Sequence, residues 1–118
     1  MIETRNYEKL WHFWLDEACY EIARGTRYLA IPSEVSKEVW ETEIQSDVER
    51  LQQVHGVLLR GLLYEDVYEI QVAKYGWVFE VLDLARGYGL HEHAVTGVLL
   101  GYDGSSIDTF LKGLENSK

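Results

Sequence analysis

The sequence predicts an all-α fold, a compact bundle of about five helices, and three observations carry that prediction. Apolar residues recur at three-or-four spacing along most of the chain. Capping residues and glycines fall where those periodic runs begin and end. Period-two alternation is scarce, its best case being 67–72, so a short strand pair there, giving an α+β fold, is the minority expectation. With 118 residues, 47% hydrophobic content, 26% charged content and one Pro, the chain has the composition of a folded protein and the length of one domain, 1–118, with a frayed tail at 115–118.

The first helix is predicted from Tyr7, Leu10, Trp11, Trp14, Ala18 and Ile22, which share one side at helical spacing. Thr4 or Asn6 can cap its start and Gly25 can end it, while Glu8, Asp16 and Glu17 face the other way. An irregular or briefly extended connector covers 26–32, because Pro32 disfavours helix at Ile31, and Ser33 is a ready N-cap beyond it. The second helix takes in Val35, Val39, Ile44, Val48, Leu51, Val54 or His55, Leu58 and Leu62. About 30 residues at 1.5 Å each is ~45 Å, long for a small domain, so a kink is expected. Ser46 with Glu49 has capping-box spacing, and Gly56 and Gly61 weaken the helix locally. The third helix follows Val67, Ile70, Ala73 or Lys74, Trp77, Val81, Leu84 and Tyr88, interrupted at Gly76 and stopped by Gly87 or Gly89. A fourth covers 91–100, a turn covers 101–104, and a last helix starting at Ser105 carries Ile107, Phe110, Leu111 and Leu114.

Charge and cysteine usage narrow the function classes. Eleven Lys plus Arg against 20 Asp plus Glu give a net charge of -9, which disfavours direct attachment to nucleic acid or to an anionic membrane. Cys19 is the single cysteine and cannot form an intramolecular disulfide, which favours a reducing, cytoplasmic setting. No apolar stretch approaches the ~18 residues of a membrane span, and neither a signal peptide nor an anchor is expected.

Chemical motifs are few. His91-Glu92-His93, with His55 or His12 to complete a set, supports an alternative reading as a metal-assisted or acid-base enzyme. Residues two apart on a helix point about 200° from each other, so no metal and no cofactor are expected. Cys19 lies beside Ala18 and Ile22 and reads as a packed thiol, not a nucleophile. Gly101-Tyr102-Asp103-Gly104-Ser105 lacks the strand and the Lys of a phosphate loop, and no catalytic residue is assigned. A third reading is a small-ligand sensor with a helical pocket walled by Trp11, Trp77 or Tyr88.

Surfaces carry more information. Four Trp and eight Tyr are many for this length, and Trp11-His12-Phe13-Trp14 covers more than one helix face, so Trp11, Phe13 and Trp14 are candidate partner contacts. Between Ser33 and Glu49, the acids Glu34, Glu38, Glu41, Glu43, Asp47 and Glu49 face one Lys37; Glu34, Glu38 and Glu41 fall on one helical stripe and Glu43 with Asp47 on another. Arg24 and Arg27 form a basic doublet suited to a phosphate or an acidic partner. The expectation is a small acidic, non-enzymatic protein-binding module, a homo-oligomer, acting as inhibitor or adaptor on a nucleic-acid-handling protein.

Overall fold

The computed structural model describes residues 9–86 and 96–101, and they form an α+β fold in place of the expected all-α bundle. Helix α1 (Trp11–Ala23) leads to strands β1 (Leu29–Ala30) and β2 (Glu34–Ser36). A helical path then runs over 37–55, with α2 (Lys37–Val39), a π-helical segment Trp40–Ile44, a 3-10 turn Gln45–Asp47 and α3 (Val48–His55). Strands β3 (Leu58–Tyr64) and β4 (Val67–Ala73) form a hairpin, and α4 (Gly76–Ala85) follows. β4 is the central strand: it pairs antiparallel with β1 and β2 on one side and with the whole of β3 on the other.

Two predicted helices fail here for different reasons. The second stops at Gly56, which adopts a left-handed φ of +69° while its N–H bonds back to Gln52 O at 2.8 Å. Residues 58–64, Leu58 and Leu62 included, therefore belong to a strand. The third predicted helix begins only at Gly76, because 67–73 pairs along both edges. The hairpin turn at Glu65 and Asp66 carries no Gly or Asn, and Glu65 takes a positive φ of 56° unaided, so the usual turn signal is missing. Asp66 O also accepts from Lys37 N at 3.1 Å, which ties the hairpin tip to the start of α2.

Alternation along the strands sorts the core into two clusters. On one face, Trp11, Leu15, Cys19 and Ile22 of α1 and Trp40, Ile44 and Leu51 of the 37–55 path cover Ala30, Val35, Leu59, Ile70 and Val72. On the other, Val78 and Leu82 of α4, with Leu99, cover Leu29 and Ala73. The second half of β4, residues 70–73, is buried on both faces, and Gln71 is fully enclosed there.

Local signals account for several boundaries. Gly25, at φ +79°, follows the last turn of α1. Ser36, not Ser33, caps the next helix, its Oγ accepting from Val39 N at 3.2 Å. Ser46 Oγ donates to Glu43 O at 3.4 Å and so caps nothing, and the irregularity of the path is spread over 40–47. A helical turn occupies 96–99 of the fourth predicted helix. The predicted caps at Thr4 and Asn6, the stops at Gly87 and Gly89, the last helix and the tail lie outside the described residues.

Candidate functional site

Helix α1 carries the acids Asp16, Glu17 and Glu21 along its length and is followed at its C-terminal, basic end by Arg24 and Arg27. It packs beside α3, with His55 Nε2 2.8 Å from Asp16 Oδ1, and Trp11 Nε1 donates to Glu43 Oε1 at 3.3 Å. The two helical segments thus bring Asp16, Glu17, Glu38, Glu41, Glu43, Asp47 and Glu49 to one layer, and within 11–23 and 37–55 the only Lys or Arg residues are Lys37 and Arg50. Sequence spacing missed that Asp16 and Glu17 join this surface, since the two helices meet only in the tertiary structure.

The predicted contact residues fare unequally. Trp11 is 2% exposed and belongs to the core, while Trp14 is half-buried against it. Phe13 alone of the three projects outward, at 74% exposure. Glu34 leaves the predicted helical stripe: it sits in β2 opposite Glu69, and because Val35 points into the α1-side core, Glu34 points to the other face. Glu38, Glu41 and Glu43 are exposed, Glu41 lying 4.0 Å from Lys37 Nζ. Asp47 is engaged by Arg50 through two 2.6 Å hydrogen bonds, and these hold its carboxyl below the ordinary carboxylate range despite some desolvation.

At the basic end, Arg24 and Arg27 flank Gly25 and are joined by Lys74 from the β4–α4 turn. Arg24 lies over the ring of Tyr20, 5.4 Å from its centre. Arg27 Nη2 meets Glu21 Oε2 at 3.2 Å, and its buried Nε has no partner among the described residues. Lys74 Nζ donates to Ala23 O at 3.3 Å. A cleft of about 210 Å³ is lined by Gly25, Thr26, Arg27, Tyr28, Lys74 and Tyr75. A second, more open, of about 330 Å³, adjoins it at Thr26 and Arg27 and reaches Arg24, Leu100 and Gly101. Sequence reading found the arginines but not Lys74, Tyr28 or Tyr75, whose position depends on β4 being a strand.

No family model, curated protein or solved structure matches this chain. The reading therefore rests on its own geometry.

Between the sheet and α4 lies a closed polar network. Arg60 binds Asp83 with both terminal nitrogens, at 3.0 and 2.7 Å, donates from Nε to Gln71 Oε1 at 2.7 Å and lies 4.3 Å from the Phe79 ring centre. Gln71 donates to Glu69 at 2.7 Å, and Arg86 binds Glu69 and the Tyr64 hydroxyl. The hydrogen bonds from Arg60 hold Asp83 below the usual carboxylate range. The groups are committed to one another, so the network pins α4 to the sheet and offers no spare base or nucleophile.

Burial, and secondarily Asp16, pushes the Cys19 thiol up from 9.0 to about 12, the opposite of an activated nucleophile. Among the described residues no three His, Cys, Asp or Glu side chains converge as a metal set; His91 and His93 lie outside them, and His55 is engaged by Asp16. Trp11 and Trp77 sit in different layers, so they do not wall a common pocket, and Tyr88 lies outside the described residues. No described helix is long and apolar enough to cross a membrane.

Proposed function

We propose that this chain is a cytoplasmic protein-binding module that takes a basic partner on its α1 and 37–55 face. One observation carries the reading: α1 lies against the 37–55 path through Asp16 with His55 and Trp11 with Glu43, so exposed carboxylates from two distant parts of the sequence, Asp16 and Glu17 with Glu38, Glu41 and Glu43, share one layer with the exposed ring of Phe13. Such a surface supplies long-range attraction from the acids and an apolar anchor at short range. A groove built for a polyanion, as on a nucleic-acid-handling protein, has the complementary chemistry, and occupying it makes the chain an inhibitor or adaptor. Trp11 and Asp47 are withdrawn from the contact set by the core and by Arg50 respectively.

The test compares wild type with a Glu17→Gln, Glu38→Gln, Glu43→Gln variant and with Phe13→Ala, using capture from the native host followed by association kinetics with the recovered protein. The triple variant should associate more slowly, and wild-type rates should fall with salt, since exposed charges are screened over ~8 Å at physiological ionic strength. Equal, salt-independent rates would refute the electrostatic reading.

Self-association has a separate basis. β3 has no strand on its outer edge among the described residues, and Leu58, Leu63 and Tyr64 are exposed along it. Pairing of β3 with the same strand of a second copy would extend the sheet. Light scattering at micromolar concentration should show a dimer that Leu63→Lys dissociates; a monomer under both conditions would remove this reading.

A further inference from the structure

We propose that the basic end of α1 and the start of α4 form a binding site for a nucleotide-type ligand, a planar aromatic base carrying a phosphate. Three half-exposed rings project here, Tyr28, Tyr75 and Trp77. Tyr75 and Trp77 are nearly parallel, at 10° with ring centres 6.4 Å apart, and Tyr28 tilts against Trp77 at 5.2 Å. A flat ligand stacking on either of these rings therefore lies nearly parallel to the other. Base-on-aromatic stacking suits every base, because each presents a π-face.

The cations stand beside this ledge. Lys74 and Arg27 line the 210 Å³ cleft together with Tyr28 and Tyr75, and Arg24 lines the cleft that adjoins it. Against these three the two clefts hold one carboxylate, Glu21, which engages a single Arg27 nitrogen and leaves Arg27 Nε without a partner among the described residues. A local cation excess in a chain of net charge -9 marks this region off from the rest of the surface. The first turn of α4, which carries Trp77, has no side-chain cap and no acid, so its amide dipoles favour an anion, and Lys74, bonded to Ala23 O, offsets the opposing carbonyl dipoles at the end of α1.

Size limits the ligand. Clefts of about 210 and about 330 Å³ lie at or below the lower end of ligand pockets, roughly 300–1,000 Å³, so the site seats a phosphate and leaves the base on the open ledge. Gly101, at φ +90°, keeps the second cleft open: a Cβ there would stand 3.3 Å from Arg27 Cβ.

The experiment titrates the full chain with AMP, adenosine, inorganic phosphate and a short oligothymidylate, reading Trp fluorescence and, for AMP, the phosphorus NMR shift. Trp77 is the one exposed Trp among the described residues, so stacking should quench its emission. AMP should bind about tenfold or more tightly than adenosine or phosphate alone, because only AMP uses both halves of the site. Arg27→Ala and Lys74→Ala should each weaken AMP by about tenfold or more while far-UV circular dichroism stays native. Trp77→Phe should keep the phosphorus titration of wild type, and Trp77→Ala should move it to about tenfold higher AMP concentration. Tighter binding of oligothymidylate with the same variant sensitivity would identify single-stranded nucleic acid as the natural source of the base and phosphate. No saturable AMP binding at millimolar concentration, or binding indifferent to folded Arg27→Ala and Lys74→Ala proteins, would overturn the proposal.

Discussion

Gly61→Ala tests how closely the helical layer grips the sheet. A Cβ built at Gly61 would stand 2.7, 2.8 and 2.9 Å from Cζ2, Cη2 and Cε2 of Trp40, roughly 1 Å short of the 3.5–4.0 Å optimum for carbon contacts. The indole cannot easily retreat, since it is 6% exposed and stacked on Tyr68 at 5.2 Å. Overpacking of this kind costs ~1–3 kcal/mol, partly offset by the ~0.4–1 kcal/mol gained when a glycine loses freedom in the unfolded chain. The expected net loss is about 1–2 kcal/mol, or a urea midpoint lower by about 1 M. In a Trp40→Phe background the outer ring atoms are gone, and the same substitution should be neutral or slightly stabilising. A double-mutant cycle by urea unfolding reads the difference directly. If Ala at 61 stabilised the Trp40 protein, or cost the same in both backgrounds, the close-packing argument would be wrong.

Glu65 occupies a left-handed conformation that costs an L-residue roughly 1 kcal/mol, so Glu65→Gly or Glu65→Asn should raise the urea midpoint without changing the sheet. Leu15→Ala should cost ~2–5 kcal/mol by calorimetry or urea unfolding, because the side chain is fully enclosed between α1 and the sheet. Native Cys19 should react with a thiol reagent far more slowly than in denaturant. Its folded pKa lies above the unfolded value, so the stability it contributes is complete below pH 9.0 and is lost as pH rises towards about 12; the advantage of wild type over Cys19→Ala should shrink across that window.

Some features follow from the chain alone because they depend on neighbours in sequence. The periodicity of Trp11, Ala18 and Ile22 makes one helix side apolar, to which the structure adds Leu15 and Cys19, and Gly25 ends it by conformational freedom. The Arg24 and Arg27 doublet and the acids of 37–49 are likewise visible without a fold. The fold class showed only as the minority expectation of a strand pair near 67–72. Leu58 and Leu62 keep helical spacing as well as they keep the period of two, and through the alternating stretch of β4 Val67, Ile70, Ala73 and Trp77 keep helical spacing as well. What decided for the sheet was non-local: pairing of β4 along both edges, and Trp40 lying flat over Gly61, which reads in sequence only as a weakened helix. The candidate sites divide the same way. Tertiary packing moved Trp11 into the core, sent Glu34 to the opposite face of the sheet, and set Lys74 and Tyr75 beside Arg27 and Trp77 against Tyr28, because the hairpin returns the chain to the end of α1. Residues roughly 50 positions apart share a site only after the loop between them has closed, and no local pattern records that closure.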